Sequence, residues 1–439
     1  MLGTSKLGRR LYNREVSDFL SNGQLKITKQ ELTNLIDRIG KKEVINQVSQ
    51  LITQRKIKFP LKKFSLPGPS SFWSNIEKDY HRLVEDQNYY LPYYLKKNFN
   101  KVGFRDAGKI RQYIITTDPN DYFEVNLITD LFTEAARMKC HLAGQPSPIT
   151  FFRCPKLHRQ LIERFLLFPS IDQPIRAGKE ATYLLREAFY PQVAECTQFR
   201  VTLAKFIYDY FGMKTGSDNL TVYDPFAGWG DRLLGAAASS VVNRYLGTDP
   251  NPDLISGHSE MISFLRKMKV VGSYSVEPIP AEEIDLKKSF PKGIDLIYSS
   301  PPFFNLEIYD QGKQSIQSYP GIKSWNRWFQ QITKRMYQNL NQGGYLIYHL
   351  ADPKGVSIIS ELISFMETIG AVFLGSIPFY SGPKKRPVFN YIWTNQGVGV
   401  TTGGSTNKSR GSRNKSRGSR NKSRGSRNKS RGSRNKSRR

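Results

Sequence analysis

Residues Leu220–Arg232 read Leu-Thr-Val-Tyr-Asp-Pro-Phe-Ala-Gly-Trp-Gly-Asp-Arg. A β-branched, half-apolar strand ends on a carboxylate, passes through a turn with two glycines and enters an Ala/Leu-rich helix. That is a strand-turn-helix of the cofactor-binding kind. Gly228 and Gly230 let the backbone approach a ligand closely, and Asp231 is placed to cap the helix. About seventy residues on, the short apolar strand 294–298 stops at Ser300-Pro301-Pro302-Phe303, where two prolines bar continuation of a central strand. Something is presented at that strand end.

At these residues the chain resembles the S-adenosylmethionine-dependent amino-methyltransferases of DNA, which methylate the exocyclic nitrogen of cytosine or adenine. Asp224-Pro225-Phe226-Ala227-Gly228-Trp229-Gly230 matches the family's Asp-Pro-Phe-x-Gly-x-Gly turn. Ser300-Pro301-Pro302-Phe303 matches its [Asp/Asn/Ser]-Pro-Pro-[Tyr/Phe] tetrapeptide, in the order expected for one subset of the family. Phe199 to Lys205 is similar to a Phe-Arg-x-x-x-Ala-Lys segment that precedes the turn and backs the methionine end of the cofactor. The resemblance spans Phe199 to Asn395. It implies a class I methyltransferase fold and S-adenosyl-L-methionine as cofactor.

Under that resemblance, Phe199, Asp224, Pro225, Phe226, Gly228, Gly230, Asp249 and Glu282 are the expected cofactor-binding residues. Asp224, at its strand end, is placed to meet the cationic methionine end, directly or through water. Asp249 follows the next strand, where an acid can accept from both ribose hydroxyls. Glu282 is the candidate for the adenine amino group, with Glu283 as competitor. Ser300, Pro301, Pro302 and Phe303 are the expected catalytic residues. An exocyclic base amine is a poor nucleophile because its lone pair is delocalised into the ring. Two acceptors for its hydrogens, the Ser300 hydroxyl and the Pro301 carbonyl, would orient it and stabilise its growing positive charge. Phe303 would stack on a base taken out of its helix.

Other chemistries fit poorly. Leu233 stands where the dinucleotide fingerprint needs its third glycine, and no Gly-x-x-x-x-Gly-Lys occurs. Cytosine-C5 methylation needs a cysteine beyond the glycine turn, whereas Cys140, Cys154 and Cys196 all precede it. A zinc site from Cys140, His141, Cys154 and His158 matches no standard spacing, so no metal is expected.

The net charge is +29, and fifteen of the 66 Lys and Arg lie in Asn-Lys-Ser-Arg-Gly-Ser-Arg repeats from Asn407 onward. The excess of fourteen on the rest still favours a polyanionic partner: DNA, with RNA as the alternative. The odd cysteine count fits a reducing compartment. No apolar run approaches the ~20 residues of a membrane span, and no secretory N-terminus is present. The expectation is a soluble, intracellular protein of cytoplasm or nucleus, with no membrane partner and the oligomeric state open.

Composition divides the chain into a small helical unit (1–65), an aromatic and basic region (66–195), a methyltransferase domain (196–397) and a basic tail without apolar residues (398–439), expected to be disordered. The first carries apolar residues at helical spacing, with Thr28 as N-cap before Glu31. The second interleaves Tyr80, Tyr89, Tyr90, Tyr93, Tyr94, Phe99, Phe104, Tyr113 and Tyr122 with Lys and Arg, as a nucleic-acid surface or a tyrosine-rich core would. The third alternates strands and helices and ends in a hairpin, Ala371–Tyr380 with Val388–Thr394, around a basic loop. That pattern makes the fold class α/β, a Rossmann-like and mostly parallel sheet ending in a β-hairpin, behind a mainly helical N-terminal extension. The activity expected is methyl transfer to a base amine of DNA, cytosine N4 ahead of adenine N6, since Ser-Pro-Pro is commoner among the family's cytosine enzymes. An RNA base-amine methyltransferase, or a nucleic-acid-binding protein with an inactive methyltransferase fold, is the alternative.

Overall fold

The computed structural model describes residues 15–62, 68–86, 103–117, 123–166, 185–186, 193, 195–309, 314–380 and 387–396. The basic tail, the basic hairpin loop 381–386 and the tyrosines and lysines of 87–102 lie outside these residues.

Helix α1 (Lys29–Ile39) begins at Thr28, whose hydroxyl accepts from the Glu31 amide while the Glu31 carboxylate returns to Thr28. This is the expected capping box. After α2 (Lys41–Thr53), α3 (Pro69–Ile76) and α4 (Asp130–Arg137) come α5 (Pro148–Arg153) and α6 (Pro155–Leu166). The last two pack back on α2, so Val48 and Ile52 share a core with Phe151, Phe152, Leu161 and Ile162.

An eleven-stranded sheet organises the rest of the described chain. Its strands are β1 (His81–Glu85), β2 (Phe104–Asp106), β3 (Lys109–Arg111), β4 (Tyr113–Thr117), β5 (Leu220–Asp224), β6 (Val242–Thr248), β7 (Ser273–Glu277), β8 (Ile294–Ser299), β9 (Leu340–Leu350), β10 (Val372–Tyr380) and β11 (Val388–Thr394). The spatial order β7-β6-β5-β8-β9 is parallel throughout. β11 and β10 follow, each antiparallel to its predecessor. This is the largely parallel sheet with a terminal hairpin expected of a class I methyltransferase fold. β5 and β8 are neighbours although the chain visits β6 and β7 between them. Their carboxyl ends therefore flank a topological switch point, where a crevice opens in such sheets.

Strand alternation distributes the core to the two faces. Val222, Leu296 and Ile347 point to one side, against helix α7 (Val201–Thr215), α8 (Asp231–Ala238) and α9 (Ile255–Lys267). Tyr223, Ile297, Leu346 and Tyr348 point to the other, against α10 (Ile322–Tyr337) and α11 (Ile358–Thr368). The aromatic stripe Trp325, Trp328, Phe329 of α10 is core, as its helical spacing predicts.

The region 66–195 packs differently from its compositional outline. Besides its helices, the N-terminal extension, expected to be mainly helical, holds β1–β4, which prolong the main sheet beyond β10. β2 docks at Gly375, whose φ of +118° marks a bulge in β10. A Cβ there would lie 1.8 Å from the Gly103 carbonyl oxygen. Only glycine admits that approach.

Candidate functional site

Asp224 and Ser299, the last residues of β5 and β8, meet at the switch point. The Asp224 carboxylate has no solvent exposure and is saturated by donors from four places. Oδ2 accepts from Arg232 Nε at 2.8 Å and from the Tyr245 hydroxyl at 2.7 Å. Oδ1 accepts from Ser299 Oγ at 2.6 Å and from the Phe226 amide at 3.4 Å. This corrects the expectation that Asp224 reaches the cofactor directly or through water, since no face of the carboxylate is open. Asp224 instead anchors the buried Arg232, whose guanidinium also donates to the Phe226 carbonyl and lies 5.3 Å from the Phe199 ring centre. Burial works against the Arg232 charge, but Asp224 and Tyr245 more than restore it, raising its pKa above the ordinary arginine value. A charge this deep needs such a partner.

The glycine turn is fixed from both sides. Gly228 donates its amide to Asp249 Oδ2 at 2.9 Å, and its carbonyl meets His258 Nε2 at 2.8 Å. Its φ is +56°, and a Cβ added there would meet only the Phe226 oxygen, at 3.9 Å, so the turn presents bare backbone to open space. Asp249 Oδ1 takes the Asn251 amide at 3.0 Å. Each oxygen of this half-buried carboxylate thus keeps acceptor capacity for a further donor. Burial raises its pKa above the usual carboxylate value.

Asp231 does not cap α8. The cap is Gly230, at φ +93°, and Asp231 is the first helical residue. Its buried carboxyl accepts from Thr129 Oγ1 at 2.7 Å, and burial pushes its pKa up to about 7. Between the unfolded value of ~3.9 and ~7, the folded protein holds a proton that the unfolded chain has released, so this group makes stability fall as pH rises through that window. Asp231→Asn keeps an acceptor for Thr129 and removes the titration. Urea midpoints at pH 4.5, 6 and 7.5 should lose that part of their decline in the variant, and an identical decline would assign it to other groups.

The tetrapeptide follows β8 directly, with Pro301 buried and Ser300, Pro302 and Phe303 half-buried. Ser300 Oγ donates to the His349 carbonyl at 3.1 Å. Phe303 packs against the core cluster that includes the α10 aromatics, and Phe304, left-handed at φ +53°, stands edge-on to Trp325 at 5.8 Å. Phe199 stands opposite, edge-on to Tyr298 at 5.9 Å and to the His349 ring at 4.8 Å. Lys205, from the same segment, is committed to Asp79 and Asp209 at 2.7 and 2.8 Å.

Pro225, Phe226, Gly228, Asp249, Phe199 and the tetrapeptide thus gather around the ends of β5 and β8, whereas Glu282 is drawn aside. Its Oε1 accepts from Trp328 Nε1 at 3.3 Å and from the Tyr319 hydroxyl at 3.4 Å, in a hollow of about 670 Å³ that Lys323, Arg327 and Arg335 also line. Trp328 stands between it and Phe226, with ring centres 6.2 Å apart. Glu283 is exposed.

Sequence reading missed Arg232, His349 and Asn390. The antiparallel register places His349 opposite Asn390, and His349 Nδ1 lies 3.1 Å from Asn390 Oδ1. Burial pushes the His349 pKa down to about 4. The sequence reading paired the strand of Asn390 only with Ala371–Tyr380, so it held no signal for a contact with His349. Among the described residues, no group of His, Cys, Asp and Glu is arranged to hold a metal, and no helix is long and apolar enough to cross a membrane. Cys140 is buried, donating to the Tyr309 carbonyl at 3.0 Å.

No protein-family model and no curated protein matches the sequence. Solved structures similar to it include a methyltransferase from Pyrococcus furiosus (13% identity, TM-score 0.30, covering 44% of this chain and 83% of that one). A Listeria monocytogenes protein described as a class I S-adenosylmethionine-dependent methyltransferase is another (15%, 0.35, 56% and 82%). An rRNA methylase from Streptococcus thermophilus is a third (14%, 0.28, 43% and 94%). At such identities and scores, no residue role passes from them to this chain.

Proposed function

We propose that this chain transfers a methyl group from S-adenosylmethionine to an exocyclic amine of a DNA base, cytosine N4 before adenine N6. The observation that carries the reading is the commitment of the Ser300 hydroxyl hydrogen to the His349 carbonyl. With its hydrogen engaged there, Oγ offers only lone pairs to a ligand, which suits an amine donor and disfavours a keto oxygen. The Pro301 carbonyl is a second acceptor beside it, and Phe303 supplies an aromatic face.

The residues present fit the cofactor. S-adenosylmethionine brings an electrophilic methyl on a cationic sulfur. Asp249 retains one acceptor site on each oxygen for the two ribose hydroxyls, and Gly228 leaves space for the ligand to cross the turn. Phe199 backs the site from α7's side, its other face covered by Arg232. The positive excess of the chain suits a polyanionic substrate.

The deciding experiment incubates the full chain with labelled cofactor and unmodified DNA or RNA, digests to nucleosides and identifies the product. N4-methylcytosine is expected; N6-methyladenine overturns the choice of base, methylated RNA alone the choice of nucleic acid, and no label in either the whole proposal. Phe303→Ala should weaken base capture by ~1–3 kcal/mol with cofactor affinity intact. Asp249→Ala should remove most cofactor affinity in a calorimetric titration, and wild-type binding by that variant would displace Asp249 from the site.

A further inference from the structure

His349 sits one residue before the end of β9, beside the end of β8 that carries the tetrapeptide. Its backbone already engages Ser300; its ring is set by Asn390. The Asn390 amide is itself fixed by two neighbours, since Nδ2 donates to the Ile377 carbonyl at 3.2 Å and Oδ1 accepts from the Tyr298 hydroxyl at 3.3 Å. Oδ1 therefore faces His349 as a pure acceptor, and the ring nitrogen 3.1 Å away, Nδ1, carries the hydrogen. Nε2 is left with the lone pair. It has no partner among the described residues, yet it is not among the buried unpaired atoms, so it lies on the small part of this 9%-exposed residue that solvent reaches. The ring stands edge-on to Phe199, with ring centres 4.8 Å apart, and the carbonyl of the same residue holds the Ser300 hydroxyl.

We propose that His349 is the proton acceptor of the methyl transfer, with Asn390 as the positioning residue that keeps Nε2 free. The inference rests on the reading of Ser300–Phe303 as the amine pocket. The amine nitrogen donates its lone pair to the methyl carbon as the carbon–sulfur bond breaks and leaves its electrons on sulfur. The methylated nitrogen now carries a positive charge and one proton too many. Nε2 takes that proton into its lone pair, and the imidazolium releases it to water. The surroundings suit a transient carrier. Arg232 of α8 opposes a lasting charge on the ring, and the Asp224 carboxylate of β5 is spent on Arg232. Tyr298 of β8 turns its hydroxyl to Asn390, and Tyr208 of α7 packs edge-on to Tyr298. The ring is thus neutral, with its lone pair available, at any ordinary working pH.

The test uses the full chain. His349→Gln and His349→Ala should lower single-turnover rates ~10²–10⁴-fold, with the cofactor dissociation constant within twofold of wild type. Added imidazole should restore the alanine variant in proportion to its free-base concentration, a rescue that a merely structural histidine would not show. Independently of turnover, ¹⁵N spectra of histidine-labelled wild type should show His349 as the Nδ1–H tautomer at pH 7, still neutral at pH 5. A glutamine variant within twofold of wild-type rate, a loss that imidazole leaves unchanged, or an Nε2–H tautomer would each overturn the proposal. If wild type methylates neither DNA nor RNA, the amine-pocket reading fails first and this inference goes with it; an active wild type with an active glutamine variant sinks this inference alone.

Discussion

Replacing Asp224 by alanine should destabilise the protein by about 3–5 kcal/mol, because it leaves the Arg232 guanidinium buried without its counter-charge. The Tyr245 and Ser299 hydroxyls lose their acceptor in the same step. Asp224→Asn keeps the shape and part of the hydrogen bonding, so its urea midpoint should fall between those of alanine and wild type. Asp224→Ala combined with Arg232→Met should recover much of the loss, since it removes the stranded charge and fills the space with apolar atoms. A single alanine variant that unfolds at the wild-type midpoint but no longer binds S-adenosylmethionine would restore the direct cofactor role and refute the structural one.

Gly375→Ala should release β2 and its neighbours from β10. The added methyl would fall on the Gly103 carbonyl, part of a backbone with no rotamer to yield, and φ is +118°. Overpacking (~1–3 kcal/mol) and backbone strain (~1–3 kcal/mol) together come to ~2–6 kcal/mol. Gly355, at φ +79° with nothing within 4 Å of its added methyl, provides the control, where only the backbone term of ~1–3 kcal/mol remains. Limited proteolysis should cut 103–117 faster in the Gly375 variant than in the Gly355 variant. Equal cutting would mean that the glycine is not what holds that edge.

Local features were readable from the sequence. The strand, the two glycines and the proline pair each lie within a few residues, and the alternation of Val222 and Tyr223 between faces follows from the strand period alone. What escaped was assembled across the sheet. Asp224 looked like a free carboxylate because Arg232, Tyr245 and Ser299 reach it from a helix and two other strands. Ser300 gained its meaning from a carbonyl 49 positions later. β2 and β3, at three residues each, are too short to show a period, so a stretch rich in tyrosine and lysine concealed four strands. Composition located the N-terminal helices and missed that α5 and α6 return to them.

The contact of α4 with the glycine turn also orders events during synthesis. Thr129 and Thr133 hold Asp231 and the Trp229 carbonyl across 102 and 96 positions of chain. The segment that clasps the turn therefore leaves the ribosome well before the turn exists, and domains tend to fold from the N-terminal side as they emerge. The glycine loop is born into a waiting clasp. A translation product begun near residue 196 would have to close the same loop with the Trp229 carbonyl and the Asp231 carboxyl both missing their partners.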